Sequence, residues 1–340
     1  MSTQKITPTR KDKIKRGESR PDRMKRNQEV GDKYQRDHPE YCRNRMRKLR
    51  AEELRKEWGT EVGQMWQCGE HRVICGDCTD PAVVQRVMGG EKATIAFTSP
   101  PYAEQRKAHY GGINADKYVE WWDGVQSSVR SILYDQGCFF VNIKEHCDNG
   151  ERHLYVSDLL TTMKRKWNWL FVDELIWFKP GIPGGWDNRF RDRFERIFHF
   201  SISKKIKFNP LSVGTESDKT FTYSSKNKLA NAGDNVQLFE AANGEKKGTA
   251  RPGNVIEIGA NQEKLGQAVM FPLGLPTFFI KAYSDQSDII LDPFLGSGTT
   301  MIACENLGRK CRGCEIDPGY IGVILQRYKD TFKVEPVLIE

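Results

Sequence analysis

The 340-residue chain contains no apolar run approaching the ~18 residues needed to cross a bilayer, which excludes a helical membrane anchor. The N-terminus is polar and basic and lacks the apolar core of a secretory signal. Neither G-x-G-x-x-G nor Gly-Lys-Ser/Thr occurs, so no glycine turn of the phosphate-cradling type is present. The nine cysteines are an odd count without framework spacing, which argues against a disulfide scaffold. These absences predict a soluble, cytoplasmic protein with reduced thiols. Apolar residues are also scarce, at 38%, and the shortfall sits at the front. Residues 1–58 hold 19 Lys/Arg against 10 Asp/Glu, while the whole chain is +8, so the remainder is close to neutral.

Residues 1–30 have almost no apolar content and are expected to be disordered. Residues 34–58 suit a polar helix with a thin seam of Tyr41, Met46, Leu49, Leu54 and Trp58. That basic extension is either a solvated tail or a sequence-blind grip on phosphates. From Trp66 onward short apolar strands alternate with helices. Strands are expected at 71–75, 93–97, 137–143 and 170–178, with helices at 81–88, 118–134 and 155–166. This alternation predicts a parallel, helix-covered α/β sheet. Between Lys179 and about Gln262 the alternation stops, and glycine, proline and polar residues dominate. It returns with a helix at 273–283, strands at 289–292 and 310–316, and helices at 301–307 and from Tyr320. The expected parts are an N-terminal extension (1–62), a first half of the α/β domain (63–179), an insert (180–262) and a second half (263–340).

Two corners carry chemistry. The first is Asp292-Pro293-Phe294-Leu295-Gly296-Ser297-Gly298-Thr299-Thr300, between an apolar strand and a helix. Its glycines let backbone approach a ligand closely, and the helix start offers free N–H groups. Glu315 ends the next strand, where an acidic residue suits the two hydroxyls of a ribose. An adenosine ligand without a phosphate fits this pattern; an ordinary tight strand-to-helix turn is the plain alternative. The second corner is Thr98-Ser99-Pro100-Pro101-Tyr102, at the C-terminal end of a strand, where open α/β sheets bind ligands. The prolines make a rigid corner without N–H donors. The Ser99 hydroxyl and the Pro100 carbonyl can both accept from one –NH₂ group, and Tyr102 offers a face to a planar ring.

At these stretches the chain resembles the amino-methyltransferase family of DNA modification enzymes. Ser99-Pro-Pro-Tyr102 is similar to the family's D/N/S-P-P-Y/F catalytic motif, and Phe294-Leu-Gly-Ser-Gly298 to its F-x-G-x-G cofactor motif. The catalytic motif comes first, which resembles the circularly permuted β group, with a target-recognition region between the motifs. Trp177-Phe-Lys-Pro180 resembles a W-x-K-P segment that precedes that region. Gln267-Ala-Val-Met-Phe-Pro272 resembles the segment that cradles the methionine end, departing at Gly266-Gln267 where relatives often carry His-Pro. Gly76-Asp77 resembles the G-D beside the adenine. The likeness covers roughly residues 66–330.

The resemblance implies a Rossmann-like, S-adenosylmethionine-dependent methyltransferase sheet, circularly permuted, with residues 180–262 as the target-recognition insert. It implies Ser99, Pro100, Pro101 and Tyr102 as the catalytic set. Asp77, Thr98, Phe271, Pro272, Asp292, Pro293, Phe294, Gly296, Ser297, Gly298, Thr299, Thr300, Glu315 and Ile316 are implied around S-adenosyl-L-methionine. The implied reaction is methyl transfer to an exocyclic amino group of a base flipped from double-stranded DNA. A Ser at the first motif position leans toward cytosine N4, with adenine N6 as the alternative. Carbon-5 methylation needs a cysteine after a proline, and the chain has no Pro-Cys. Methylation of RNA or of a protein glutamine, and a DNA-binding regulator without catalysis, are rival readings. A homodimer and a separately encoded restriction endonuclease are the partners considered beyond DNA, in a bacterial, archaeal or phage setting.

Residues 103–116 are expected to form a mobile loop able to close over the site. Arg189, Arg191, Arg193, Lys204, Lys205, Lys226 and Lys228 are candidate DNA contacts or plain solvated surface. Cys75-x-x-Cys78 and Cys311-x-x-Cys314 mimic a four-thiolate zinc pattern. They fall on core strands beside Asp77 and Glu315, so buried small residues are the preferred reading, and no metal is expected.

Overall fold

A computed structural model describes residues 39–104, 112–148, 150–180, 188–221, 238–240, 246–259 and 271–340. Residues 1–50 form one unit and residues 51–340 another, compact one. The expectations for residues 1–30 and for Lys226 and Lys228 lie outside the described residues, as do Gly266 and Gln267. The helix expected over 34–58 is α1 (Pro39–Trp58). Its last two turns already belong to the compact unit: Ala51 and Leu54 are buried, and the Thr60 hydroxyl donates to the Pro318 carbonyl at 2.6 Å. The compact unit therefore begins at Ala51.

The compact unit opens with β1 (Met65–Cys68), β2 (His71–Cys75), α2 (Pro81–Met88) and β3 (Ala93–Thr98). Next come α3 (Tyr118–Ile132), β4 (Leu133–Ile143), the short β5 (Cys147–Asp148) and β6 (Glu151–Arg152), α4 (Tyr155–Arg165) and β7 (Leu170–Phe178). β8 (Phe194–Ser201), β9 (Thr215–Phe221), β10 (Leu238–Glu240), β11 (Lys246–Ala250) and β12 (Val255–Glu257) follow. The chain closes with α5 (Gly274–Tyr283), β13 (Ile289–Asp292), α6 (Thr299–Asn306), β14 (Lys310–Glu315), α7 (Pro318–Phe332) and β15 (Val337–Leu338).

Local chemistry explains these boundaries. Asp80 caps α2 by accepting from the Ala82 N–H at 2.9 Å, with Pro81 in the first turn and Gly89 left-handed at the end. Asp317 and Pro318 start α7 in the same way. In α3 the buried residues Tyr118, Trp122, Val125, Val129 and Ile132 recur at helical spacing, and Trp122 stacks on Phe139 of β4 at 6.1 Å. All six residues of β3 are buried, as expected of a strand covered on both faces.

Ten strands form one sheet in the order β12-β7-β8-β4-β3-β13-β14-β2-β1-β15. β4, β3, β13, β14 and β2 run parallel to one another. One core layer holds Val84, Trp122 and Leu159 from α2, α3 and α4; the other holds Phe279, Met301 and Ile324 from α5, α6 and α7. The predicted helix-covered α/β sheet is therefore observed. β3 and β13 are neighbours, with Ile290 opposite Ile95 and Leu291 opposite Ala96. The chain leaves them in opposite directions, toward β4 and toward β14. Such a divergence opens a crevice at the C-terminal strand ends, and both motif corners emerge there.

The expected insert is not wholly outside the sheet. β8 lies between β4 and β7, antiparallel to both, and β12 pairs with β7. The stretch expected as an insert thus contributes two strands to the main sheet. Phe194–Ser203 reads as β-like in the sequence, but periodicity reports burial and not which strand is the neighbour. Between those strands, β9, β10 and β11 form a separate small sheet. Of the expected loop 103–116, residues 115–117 form a short 3₁₀ turn, and 105–111 lie outside the described residues.

Candidate active site

Asp292, at the end of β13, joins the two corners. It is completely buried, and its carboxylate accepts three hydrogen bonds. The Thr98 hydroxyl donates at 2.8 Å, the Thr300 hydroxyl at 2.6 Å and the Phe294 N–H at 3.1 Å. One group thereby ties the end of β3, the glycine turn and the first turn of α6. Burial pushes its pKa up to about 6, against the opposing effect of the three donors.

The turn after Pro293 needs its glycines. Gly296 and Gly298 have φ of +57° and +85°, in the left-handed region that other residues rarely adopt. Gly298 caps α6 without any side-chain hydrogen bond. Arg327 of α7 braces the turn, donating to the Ser297 carbonyl at 3.1 Å and the Thr299 hydroxyl at 3.0 Å. Glu315 closes it from β14. Its carboxylate accepts from the Gly296 N–H at 2.9 Å and the Asp317 N–H at 3.0 Å. Burial pushes the Glu315 carboxyl up to about 8. Phe294 leans on Trp121 and Trp122, at ring separations of 5.6 and 6.3 Å.

The second corner is held differently. The Tyr118 hydroxyl donates to the Pro101 carbonyl at 3.0 Å, and among the described residues no hydrogen bond reaches the Pro100 carbonyl. The Ser99 hydroxyl lies 3.4 Å from that of Tyr102, which donates to Glu195 of β8 at 2.8 Å. Asn142 of β4 sends its amide to the same Glu195 oxygen at 2.8 Å, and approaches Ser99 Oγ and Tyr102 Oη at 3.3 Å each. Lys179 pairs with the other Glu195 oxygen and lies 4.7 Å over the Trp177 ring. Burial, with Glu195 close by, pushes the Tyr102 phenol well above the usual tyrosine range.

Sequence reasoning missed Asn142 and Glu195, and noted Lys179 only as part of a motif. The signal was present for one of them: Asn142 is the one amide in the apolar, buried run Cys138–Ile143 that ends β4, whereas Glu195, next to Arg196 in β8, carries no such mark. The remaining expected residues are more peripheral. Asp77 is exposed and caps a turn through the Thr79 N–H at 2.9 Å. Ile316 is exposed, Pro272 is buried, and Phe271 meets Phe97 edge-on at 5.5 Å, beside Thr98.

Cys75, Cys311 and Cys314 lie on the adjacent strands β2 and β14, with Ile74 opposite Cys314 and Cys75 opposite Glu315, while Cys78 falls in the turn after β2. Burial pushes Cys75 up to about 12 and Cys78 well above the usual thiol range, so both stay neutral. Among the described residues no group of three His, Cys, Asp or Glu side chains is arranged to hold a metal. No helix among them is long and apolar enough to cross a membrane.

A family model for DNA methylases of the N6/N4 type matches residues 93–326, from the start of β3 into α7. The chain belongs to the DNA methylase family. The enzyme is 26% identical over 274 residues to the type II methyltransferase M.PvuII of Proteus hauseri, covering 71% of this chain and 79% of that one. It is 24% identical over 290 residues to M.SmaI of Serratia marcescens, covering 75% and 90%. Among solved structures, a PvuII DNA methyltransferase described as cytosine-N4-specific superposes with a TM-score of 0.58 at 21% identity. That match covers 79% of this chain and 94% of the other and supports the shared fold. The methylases of this family depend on S-adenosyl-L-methionine. The residues present fit that donor: a left-handed glycine turn, an uncapped helix start, a buried carboxylate one strand over, and an aromatic wall at Phe294.

Proposed function

We propose that the enzyme transfers the methyl group of S-adenosyl-L-methionine to the N4 amino group of a cytosine flipped out of double-stranded DNA. The observation that carries this reading is the 2.8 Å bond from Thr98 to Asp292, which brings Ser-Pro-Pro-Tyr and the glycine turn to one end of the sheet. Bound there, S-adenosyl-L-methionine supplies an electrophilic methyl group. The glycine turn and Glu315 would hold its adenosine, and Phe294 would line the site of its sulfonium.

The protein's own part is to prepare a poor nucleophile. The lone pair of an exocyclic amine is delocalised into the base. Ser99 Oγ and the Pro100 carbonyl accept its two protons and draw the nitrogen toward a tetrahedral shape. Its lone pair then points along the line of transfer, so positioning and oriented dipoles supply most of the rate. Tyr102 offers its ring to the flipped base. Ser at position 99 and the cytosine-N4-specific description of the superposed PvuII structure favour cytosine over the N6 position of adenine.

Target recognition is assigned to the segment between β8 and β12 together with residues 188–193. Arg191 and Arg193 are exposed there, whereas Arg189 is engaged with Asp192 at 3.0 Å. The type II names of the relatives support a separately encoded endonuclease as counterpart. Nucleoside mass spectrometry of DNA from an expressing host tests the reading: N4-methylcytosine is the expected product. N6-methyladenine would redirect the assignment, and unmodified DNA would reject it.

A further inference from the structure

Glu195 is buried, 7% exposed, on a strand that neither motif includes, yet Tyr102 and Asn142, the two side chains beside the Ser99 hydroxyl, both donate to it. A carboxylate has no proton to give, so each hydrogen bond it makes fixes a direction. Tyr102 must donate to it at 2.8 Å, and Asn142 must present its amide nitrogen, also at 2.8 Å. The Lys179 ammonium pairs with the other oxygen of the same carboxylate. With its only proton committed to Glu195, the Tyr102 oxygen can only accept from Ser99, 3.4 Å away. The Asn142 amide, 3.3 Å from Ser99 Oγ, donates to that hydroxyl and so also turns the Ser99 proton away from itself.

We propose that Glu195 is a positioning residue that sets the polarity of this chain, so that Ser99 turns its proton toward Tyr102 and a lone pair toward the incoming amino group. The order is Glu195 accepting from Tyr102, Tyr102 accepting from Ser99, and Ser99 accepting from the base. Reversal at any link would point the Ser99 proton at the amine and cancel the activation. The raised pKa of Tyr102 agrees with a phenol that keeps its proton to donate. The inference rests on the amino-methylation reading above and adds to it the element that makes a neutral hydroxyl an obligatory acceptor.

The test is a kinetic cycle on the full chain with a hemimethylated or unmethylated target duplex. Glu195→Gln keeps the shape but can donate to Tyr102, so the chain can run backward. We expect kcat to fall about 100-fold, with KM for DNA and calorimetric affinity for S-adenosylhomocysteine changed by less than about threefold. Tyr102→Phe should lose a comparable factor, and the double variant should lose less than about threefold beyond either single one, because both act through one chain. If Glu195→Gln leaves Lys179 uncompensated and misfolds, Lys179→Met with Glu195→Gln removes that charge and must show the same kcat loss. A wild-type enzyme that methylates DNA while Glu195→Gln retains kcat within about threefold overturns the inference alone. So does a loss that adds in full to that of Tyr102→Phe. A wild-type enzyme that leaves DNA unmethylated overturns the functional reading and the inference with it.

Discussion

The Thr98 hydroxyl and the Asp292 carboxylate are 194 residues apart in sequence and 2.8 Å apart in space, on the ends of adjacent parallel strands. Asp292→Ala removes the acceptor of three buried donors, and each orphaned donor costs about 1–3 kcal/mol. Asp292→Asn retains the shape and part of the bonding. Denaturant unfolding should therefore rank wild type above Asn above Ala. Calorimetry should show S-adenosylmethionine affinity at least about tenfold weaker in the Ala variant, about 1.4 kcal/mol.

Ser99→Ala is expected to separate binding from chemistry. Removing one oriented acceptor from a reacting centre costs about 10²–10³ in rate. Single-turnover transfer of labelled methyl should slow by that factor, while S-adenosylmethionine affinity and the thermal midpoint stay close to wild type. A variant with full activity would remove Ser99 from the catalytic set.

Stability should depend on pH through Glu315. Its carboxyl ionises near 4.5 in the unfolded chain but near 8 when buried. Between those values the folded protein holds a proton that the unfolded chain has released, so stability falls as pH rises through this window. Asp292, raised from 3.8 to about 6, adds a fall of the same sign at lower pH. Thermal unfolding of the ligand-free protein at pH 5, 6.5 and 8 should show a declining midpoint. Glu315→Gln should flatten the upper part of that decline.

At Gly298 any other residue must adopt φ near +85°, and an added Cβ would meet Ile324 of α7 at 3.4 Å. Gly298→Ala should cost about 1–2 kcal/mol in stability and weaken cofactor binding, because the turn would move relative to α6. Equal affinity in wild type and variant, measured by fluorescence titration, would show that the turn tolerates the change.

Residues 1–38 carry twelve Lys/Arg against six Asp/Glu. Deleting them should weaken duplex binding, and should reduce the slope of log affinity against log salt by several units if those cations meet phosphates. The methylated sequence should be unchanged, because phosphate contacts carry no base information. A salt slope identical to that of the full chain would make the extension a solvated tail.

Much of the fold was legible because covered parallel strands leave an unbroken apolar signature. Ala93–Thr98, buried along its whole length, is such a run and is a strand. The glycine turn was legible too, since Gly296 and Gly298 hold positive φ that few residues tolerate. What escaped was adjacency. β8 was read as part of an insert because nothing in Phe194–Ser201 records that its neighbours are β4 and β7. With β8 misplaced, Glu195 had no visible connection to Tyr102, nor Asn142 to Ser99.

Local sequence by itself determined the two corners, since a glycine turn and a Pro-Pro corner are short-range consequences of backbone sterics. It determined the helix-covered sheet as well, through patterns of burial. Only the tertiary structure decided which side chains meet: Thr98 with Asp292, and Tyr102 and Asn142 with Glu195. Those meetings depend on strand order, and strand order is a global outcome of packing that no local window of sequence encodes.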